Sequence, residues 1–214
     1  MYRPPAFAED DPANLSALLA EARLALLVSV IDGRPTADPV PMLYDPSRGP
    51  FGTLTCHLAR ANPQAGAEAD GREVLLVFSG PDAYVSPGFY PSKRETGRVV
   101  PTWNYVTVQA HGRVRRFDDP ERLLALVGTL TDHHEAGRAE PWSVADAPEE
   151  FIRAQLKGIV GLDIEIERLE GKRKLSQNRS AVDRAGVVEG LAASEDAAGR
   201  AVAAVMRALP GGDR

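Results

Sequence analysis

The sequence predicts an α+β protein with a mainly β core, an antiparallel sheet or barrel carrying inserted and C-terminal helices. Three observations predict it. Strand patterns come in clusters, and the clearest, Val106 to Phe117, sets Val108, Ala110, Gly112 and Val114 against Thr107, Gln109, His111, Arg113 and Arg115, one apolar face and one polar. Helical stretches opened by Asp11-Pro12, Asp119-Pro120 and Pro148 are inserted between those clusters. They do not alternate with strands one for one, as a doubly wound sheet requires.

In chain order, Asp11-Pro12 opens a helix with Leu15, Leu18, Leu19 and Ala22 on one face, and Leu24 to Ile31 is a buried strand turning at Asp32-Gly33. Strands follow over Pro39 to Leu43 and Gly52 to His57. Asn62-Pro63 starts a helix, with Asn62 as cap and Pro63 in the first turn. Glu73 to Phe78 and Val106 to Phe117 are strands. A long helix after Asp119-Pro120 puts Leu123, Leu126, Val127 and Leu130 at core spacing, and Pro148 to Lys157 is a third helix. Ile159 to Leu169 is the last strong strand, its Ile164, Ile166 and Leu169 set among Asp163, Glu165, Glu167 and Arg168, with a turn at Glu170-Gly171. Beyond Ser180 the Ala-, Glu- and Arg-rich chain is helical up to Leu209, with breaks near Gly190 and Gly199.

A chain of 214 residues, 43% hydrophobic and 26% charged, buries the core of one domain or one and a half. No run is long and apolar enough to span a bilayer, and the first residues lack a signal-peptide pattern, so the reading is cytoplasmic with no membrane. Cys56 is the single cysteine, which excludes an intramolecular disulfide and a multi-cysteine metal site. His133-His134 lack metal-ligand spacing and read as a surface helix end, so no metal is expected. GxSxG, GxxxxGK[ST] and GxGxxG motifs are missing, which leaves hydrolase, P-loop and dinucleotide-fold readings without support.

Chemistry concentrates in three stretches. Between Arg168 and Arg179 lie Arg168, Lys172, Arg173, Lys174 and Arg179, followed or interleaved by Ser176, Gln177 and Ser180, in a chain of net charge -5. A local cation cluster suits a small anion; the alternative is an edge strand guarded by Lys and Arg. In Gly52 to Gln64, Arg60 beside a helix start capped by Asn62 suits a phosphate, the alternative being an exposed arginine and a plain cap. His57 is either an acid–base group or a hydrogen-bonded structural histidine. Finally Val99 to Tyr105, with Tyr84, Ser86, Phe89 and Tyr90, groups aromatics with amides and hydroxyls, which suits a flat heteroaromatic ligand or, alternatively, core packing.

Several segments in order carry a resemblance. They are Tyr2-Arg3-Pro4 with Phe7, Gly52 to Gln64, Gly80 to Pro87, Tyr90-Pro91-Ser92-Lys93, Val100 to Tyr105, His111-Gly112-Arg113, Lys157 to Gly161 and Leu169 to Gly186. Together they resemble the PaiB-type proteins, an FMN-binding family of negative transcriptional regulators. The resemblance covers residues 1–191, implying an FMN-binding split-barrel domain there and a helical tail at 192–214. It implies a split β-barrel flavoprotein related to pyridoxamine-phosphate oxidase, a homodimer with its flavin between subunits, and FMN as cofactor. Carried onto this chain, His57, Arg60, Asn62, Lys174, Ser176 and Gln177 become phosphate and ribityl contacts, and Trp103, Asn104 and Tyr105 contacts of the isoalloxazine. No catalytic residue is assigned. Two function classes stay open: a negative transcriptional regulator, or a flavin-dependent oxidoreductase or flavin reductase acting on a small molecule. The acidic pI of about 5.5 and the lack of a helix-turn-helix with a basic recognition helix count against direct DNA binding, so regulation would run through a protein partner.

Overall fold

A computed structural model describes residues 1–21 and 24–209. In order, the described residues form β1 (Ala8–Glu9), α1 (Pro12–Glu21), β2 (Leu24–Ile31), β3 (Arg34–Pro41), β4 (Leu43–Asp45), β5 (Thr53–Ala59), β6 (Glu73–Val85), α2 (Lys93–Thr96), β7 (Thr102–Phe117), α3 (Pro120–Glu135), α4 (Glu149–Leu156), β8 (Ile159–Lys174), α5 (Ala181–Ala192) and α6 (Ala197–Ala208). The strands make one sheet in the order β3-β2-β6-β7-β8-β5-β4, with β1 paired to β8. This is the expected α+β fold, an antiparallel split barrel with inserted and C-terminal helices. The chain divides into two compact units, residues 1–15, 79–108 and 170–214, and residues 16–78 and 109–169. The long strands β6, β7 and β8 each pass from one unit into the other.

The second unit starts from the β2–β3 hairpin. Ile31 pairs with Arg34 across a two-residue turn in which Asp32 (φ 50°) and Gly33 (φ 73°) are both left-handed, the conformation an Asp-Gly turn supplies and that matches strand twist. β3 begins at Arg34, five residues before the expected strand, because its prolines sit on the edge of the sheet, where a missing N–H costs no ladder bond. Leu27, Leu54, Leu76, Leu162, Ile164 and Ile166 are buried to 1% exposure or less. The start of β8 is buried on both faces, since Phe117, Leu123, Leu126, Leu130 and Leu156 form a further apolar cluster with Ile159 packed against it. Gly161 makes room there: a Cβ would lie 2.1 Å from the Phe117 ring.

In the first unit three sequence boundaries are corrected. Glu170-Gly171 is not a turn; β8 continues to Lys174 because Gly171 and Lys172 pair with Glu9 and Ala8, and Gly171 lets the Leu15 side chain lie where a Cβ would be 2.3 Å away. β7 begins at Thr102, so Trp103, Asn104 and Tyr105 belong to a strand rather than to a preceding loop. Gly190 does not break a helix. It lies inside α5 against the Phe89 ring, and the break falls at residues 193–196, where Asp196 caps α6 by accepting from the Ala198 N–H. The residues expected as a helical tail include α6, whose Val202, Ala203 and Met206 are buried. Ala22 of the expected α1 face and residues 210–214 lie outside the described residues.

Candidate functional site

Residues two apart on a strand share a face, so β8 presents Lys172 and Lys174 together at its end. Lys172, 8% exposed, donates from Nζ to the Tyr2 carbonyl at 3.0 Å and lies 5.6 Å and 5.3 Å from the Tyr2 and Tyr105 ring centroids. Lys174 Nζ donates to Thr102 Oγ1 and to the Trp103 carbonyl. Arg179 stands 4.8 Å over the Tyr90 ring. Among the described residues no carboxylate pairs with any of the three. Burial first, then the charges of Lys172 and Arg179, holds the Lys174 ammonium below its usual pKa of 10.5. The Tyr90 hydroxyl is buried without a hydrogen-bond partner. Trp103 and Tyr84, 53% and 49% exposed, meet edge to face at 6.1 Å.

The other expected residues of this unit build its framework. Asn104 is fully buried, its Nδ2 lying 3.0 Å from Ser176 Oγ and 3.5 Å from Met206 Sδ. Ser176 adopts a left-handed φ of 62° two residues past the end of β8, a cost that a non-glycine residue meets only where the surroundings fix it. Gln177 helps fix it, accepting from the Leu175 N–H at 2.7 Å and donating from Nε2 to the Arg173 carbonyl. Lys172, Arg179 and Tyr90 belong to the cationic and aromatic stretches of the sequence without an assigned ligand contact, and Tyr2 has none assigned either. The period-two spacing of Lys172 and Lys174 is the signal that could have found the lysine; nothing local brings Tyr2 beside it.

His57, Arg60 and Asn62 lie in the second unit. The helix start expected at Asn62-Pro63 is a single 3-10 turn, Pro63–Ala65, and its amides are occupied: Pro63 has none, Gln64 N–H donates to Asn62 Oδ1 at 2.8 Å, and Ala65 N–H donates to the Asn62 carbonyl. Asn62 Nδ2 and Gln64 Nε2 both donate to Asp38, at 2.7 Å and 2.8 Å, and these bonds, Asn62 first, hold the Asp38 carboxyl below its ordinary range. Arg60 spends its guanidinium on the Lys157 carbonyl (2.9 Å), the Ile159 carbonyl (3.1 Å) and Asp118 (3.4 Å). His57 Nδ1 is buried without a partner, and burial pushes the imidazole below its usual 6.5, so it is neutral at pH 7.

Comparison with known proteins follows the same lines. The family model described as "Putative FMN-binding domain" matches residues 1–168. A Bacillus subtilis protein, protease synthase and sporulation protein PAI 2, is 30% identical over 206 residues, 96% of each chain. The chain belongs to the PaiB-type FMN-binding family. An uncharacterized Aspergillus fumigatus protein is 40% identical over 171 residues, 65% of this chain and 66% of its own length. The FAD and heme binding protein of Mycobacterium smegmatis superposes with a TM-score of 0.58 at 20% identity, covering 83% of this chain and 78% of that one, and shares the fold. FMN is the cofactor of this PaiB-type chain. The first-unit cluster fits it chemically, offering three cations without carboxylates, an unpartnered buried hydroxyl and exposed aromatic area. Among the described residues no His, Cys, Asp and Glu cluster could hold a metal, and no helix is long and apolar enough to cross a membrane.

Proposed function

We propose that the protein binds FMN through the first-unit cluster, with Lys174, Lys172 and Arg179 facing the phosphate, the Tyr90 hydroxyl donating to it, and Trp103, Tyr84 and Tyr105 offering area to the isoalloxazine. The observation that carries this reading is the set of three partly or fully buried cations that no carboxylate among the described residues balances, since a buried charge without a counter-charge is costly and a phosphate dianion relieves it. Bound FMN supplies electron-accepting and electron-donating chemistry. Asn104, Ser176 and Gln177 position the end of β8, while Arg60 and Asn62 already have protein partners and contribute less to any ligand. Titration with FMN and riboflavin tests the phosphate assignment: FMN binds more tightly, inorganic phosphate competes with it, and equal affinities would remove the assignment.

The active form in this reading is a homodimer. An apolar face supports it: Leu24, Leu26, Val28 and Val30 of β2 lie opposite Pro41, Pro39, Ala37 and Pro35 of β3, and Val28 and Leu26 opposite Leu75 and Val77 of β6. Leu24, Leu26 and Val30 are 55%, 40% and 59% exposed. Ten charge-free side chains meet their own copy across a twofold axis without like-charge repulsion. A dimer in sedimentation that Leu26→Asp converts to monomer is the expected result; a wild-type monomer at micromolar concentration rejects the dimer. Regulation of transcription runs through a protein partner, because a chain of net charge -5 lacks the broad basic face that duplex DNA requires. Nanomolar, sequence-dependent DNA binding at about 150 mM salt in a mobility-shift assay would reverse this. FMN-dependent oxidation of NAD(P)H would place the protein among the oxidoreductases.

A further inference from the structure

The second unit contains a cleft of about 230 Å³, walled by His57 of β5, Val127 and Thr131 of α3, Ile152 of α4, Ile159 of β8 and the exposed Trp142. We propose that this cleft is a separate binding site for a neutral single-ring aromatic carrying one hydroxyl, a phenol. Size sets the first limit. Benzene fills a cavity of about 150 Å³ and drug-sized ligands need roughly 300 Å³ or more, so this space takes one ring with a small substituent and is too small for a flavin. Charge sets the second. Among the described residues no Lys, Arg, Asp or Glu lines the cleft, so neither a carboxylate nor an ammonium would find a counter-charge in it.

His57 sets the third. Neither ring nitrogen has a hydrogen bond among the described residues, and only Nδ1 is sealed from the surface, which leaves Nε2 as the nitrogen available to a ligand. The ring is neutral, so Nε2 donates in one tautomer and accepts in the other; a hydroxyl answers either. Thr131 offers no rival donor, because its Oγ1 already donates to the Val127 carbonyl at 2.7 Å, and Gln155, the remaining polar side chain of the lining, is at an exposed position where water competes for its amide. The indole of Trp142 supplies a flat wall for a ring. Its backbone is fixed by its own N–H donating to Glu135 at 3.1 Å and by the Ser143–Asp146 capping box that follows.

The test is titration of the full chain with 4-methylphenol, toluene and 4-methylbenzoate, followed by calorimetry and by the Trp142 indole N–H resonance. Saturable binding of 4-methylphenol, about three- to tenfold tighter than toluene, with no binding of 4-methylbenzoate, is expected. His57→Phe should remove the preference for the phenol over toluene. Trp142→Ala, a change at an exposed position, should weaken both neutral ligands while FMN affinity stays the same. The proposal is overturned if 4-methylphenol fails to saturate the wild type, if it binds no better than toluene, or if 4-methylbenzoate binds as well. It is also overturned if the phenol preference survives in His57→Phe, or if Trp142→Ala leaves both neutral ligands unaffected.

Discussion

In the second unit Arg48 and Arg122 converge on Asp163, a carboxylate only 5% exposed, whereas in the first, among the described residues, Lys172, Lys174 and Arg179 pair with no carboxylate. Asp163 is balanced on all sides. Burial alone would raise its pKa, but hydrogen bonds from Arg48 and Thr55 and the charge of Arg122 outweigh it and hold the group below 3.8. Arg122 also stacks 3.7 Å over Phe117. The two first-unit lysines donate to carbonyls and a hydroxyl and Arg179 lies over an aromatic face, contacts that leave the charge of all three in place. A balanced charge cluster stabilises a fold; an unbalanced one is available to a ligand.

The comparison breaks most visibly at Asp163. Asp163→Ala strands two arginines and should lower unfolding stability by about 2–3 kcal/mol in denaturant titration, below the full figure for a broken buried pair because the arginines are 47% and 43% exposed. FMN affinity should stay unchanged in that variant. Lys174→Ala and Arg179→Ala should do the reverse, each weakening FMN by about 1.5–3 kcal/mol in calorimetry with riboflavin nearly unaffected. A loss of stability without a loss of FMN affinity would place these cations in the structural class.

Smaller effects sharpen the contrast through pH. A phosphate dianion favours the Lys174 ammonium, so FMN affinity should fall as pH rises through the lowered Lys174 pKa, beginning below 10.5, and Lys174→Arg should flatten that fall. For His57 the sign is opposite. Its folded pKa lies below 6.5, so its contribution to stability is complete above 6.5 and is lost as pH falls from there; the difference in stability between wild type and His57→Phe should shrink or reverse as pH drops to about 5. A difference independent of pH would show that His57 titrates alike in folded and unfolded chains. The smallest effect belongs to Arg60→Ala, whose guanidinium already holds two backbone carbonyls; FMN should weaken by less than in Lys174→Ala.

Much of the fold was legible because it is written in short-range pattern. The Asp32-Gly33 turn, the alternation of Val106 to Phe117, and Asp119 accepting from the Arg122 N–H at the start of α3 all follow from neighbours in sequence. The site was legible in part. Lys174 and Tyr105 stand where the sequence placed a cation and an aromatic, but Asn104 and Ser176, polar residues that look available in sequence, are spent on each other because β7 and the end of β8 bring them within 3.0 Å. Arg60 looked free until the carbonyls of Lys157 and Ile159, about a hundred positions along the chain, arrived beside it.

The sequence by itself determined the fold class, the family, FMN as cofactor and the position of the cationic run, since each rests on local spacing or on motifs preserved in order. Only the tertiary structure decided which polar groups are spent and which are free. Hydrogen bonds between distant segments consume Arg60 and Asn62, and among the described residues Lys172, Lys174 and Arg179 are left without a counter-charge and the Tyr90 hydroxyl without a partner, a division that depends on distance in space and leaves no trace in the order of residues.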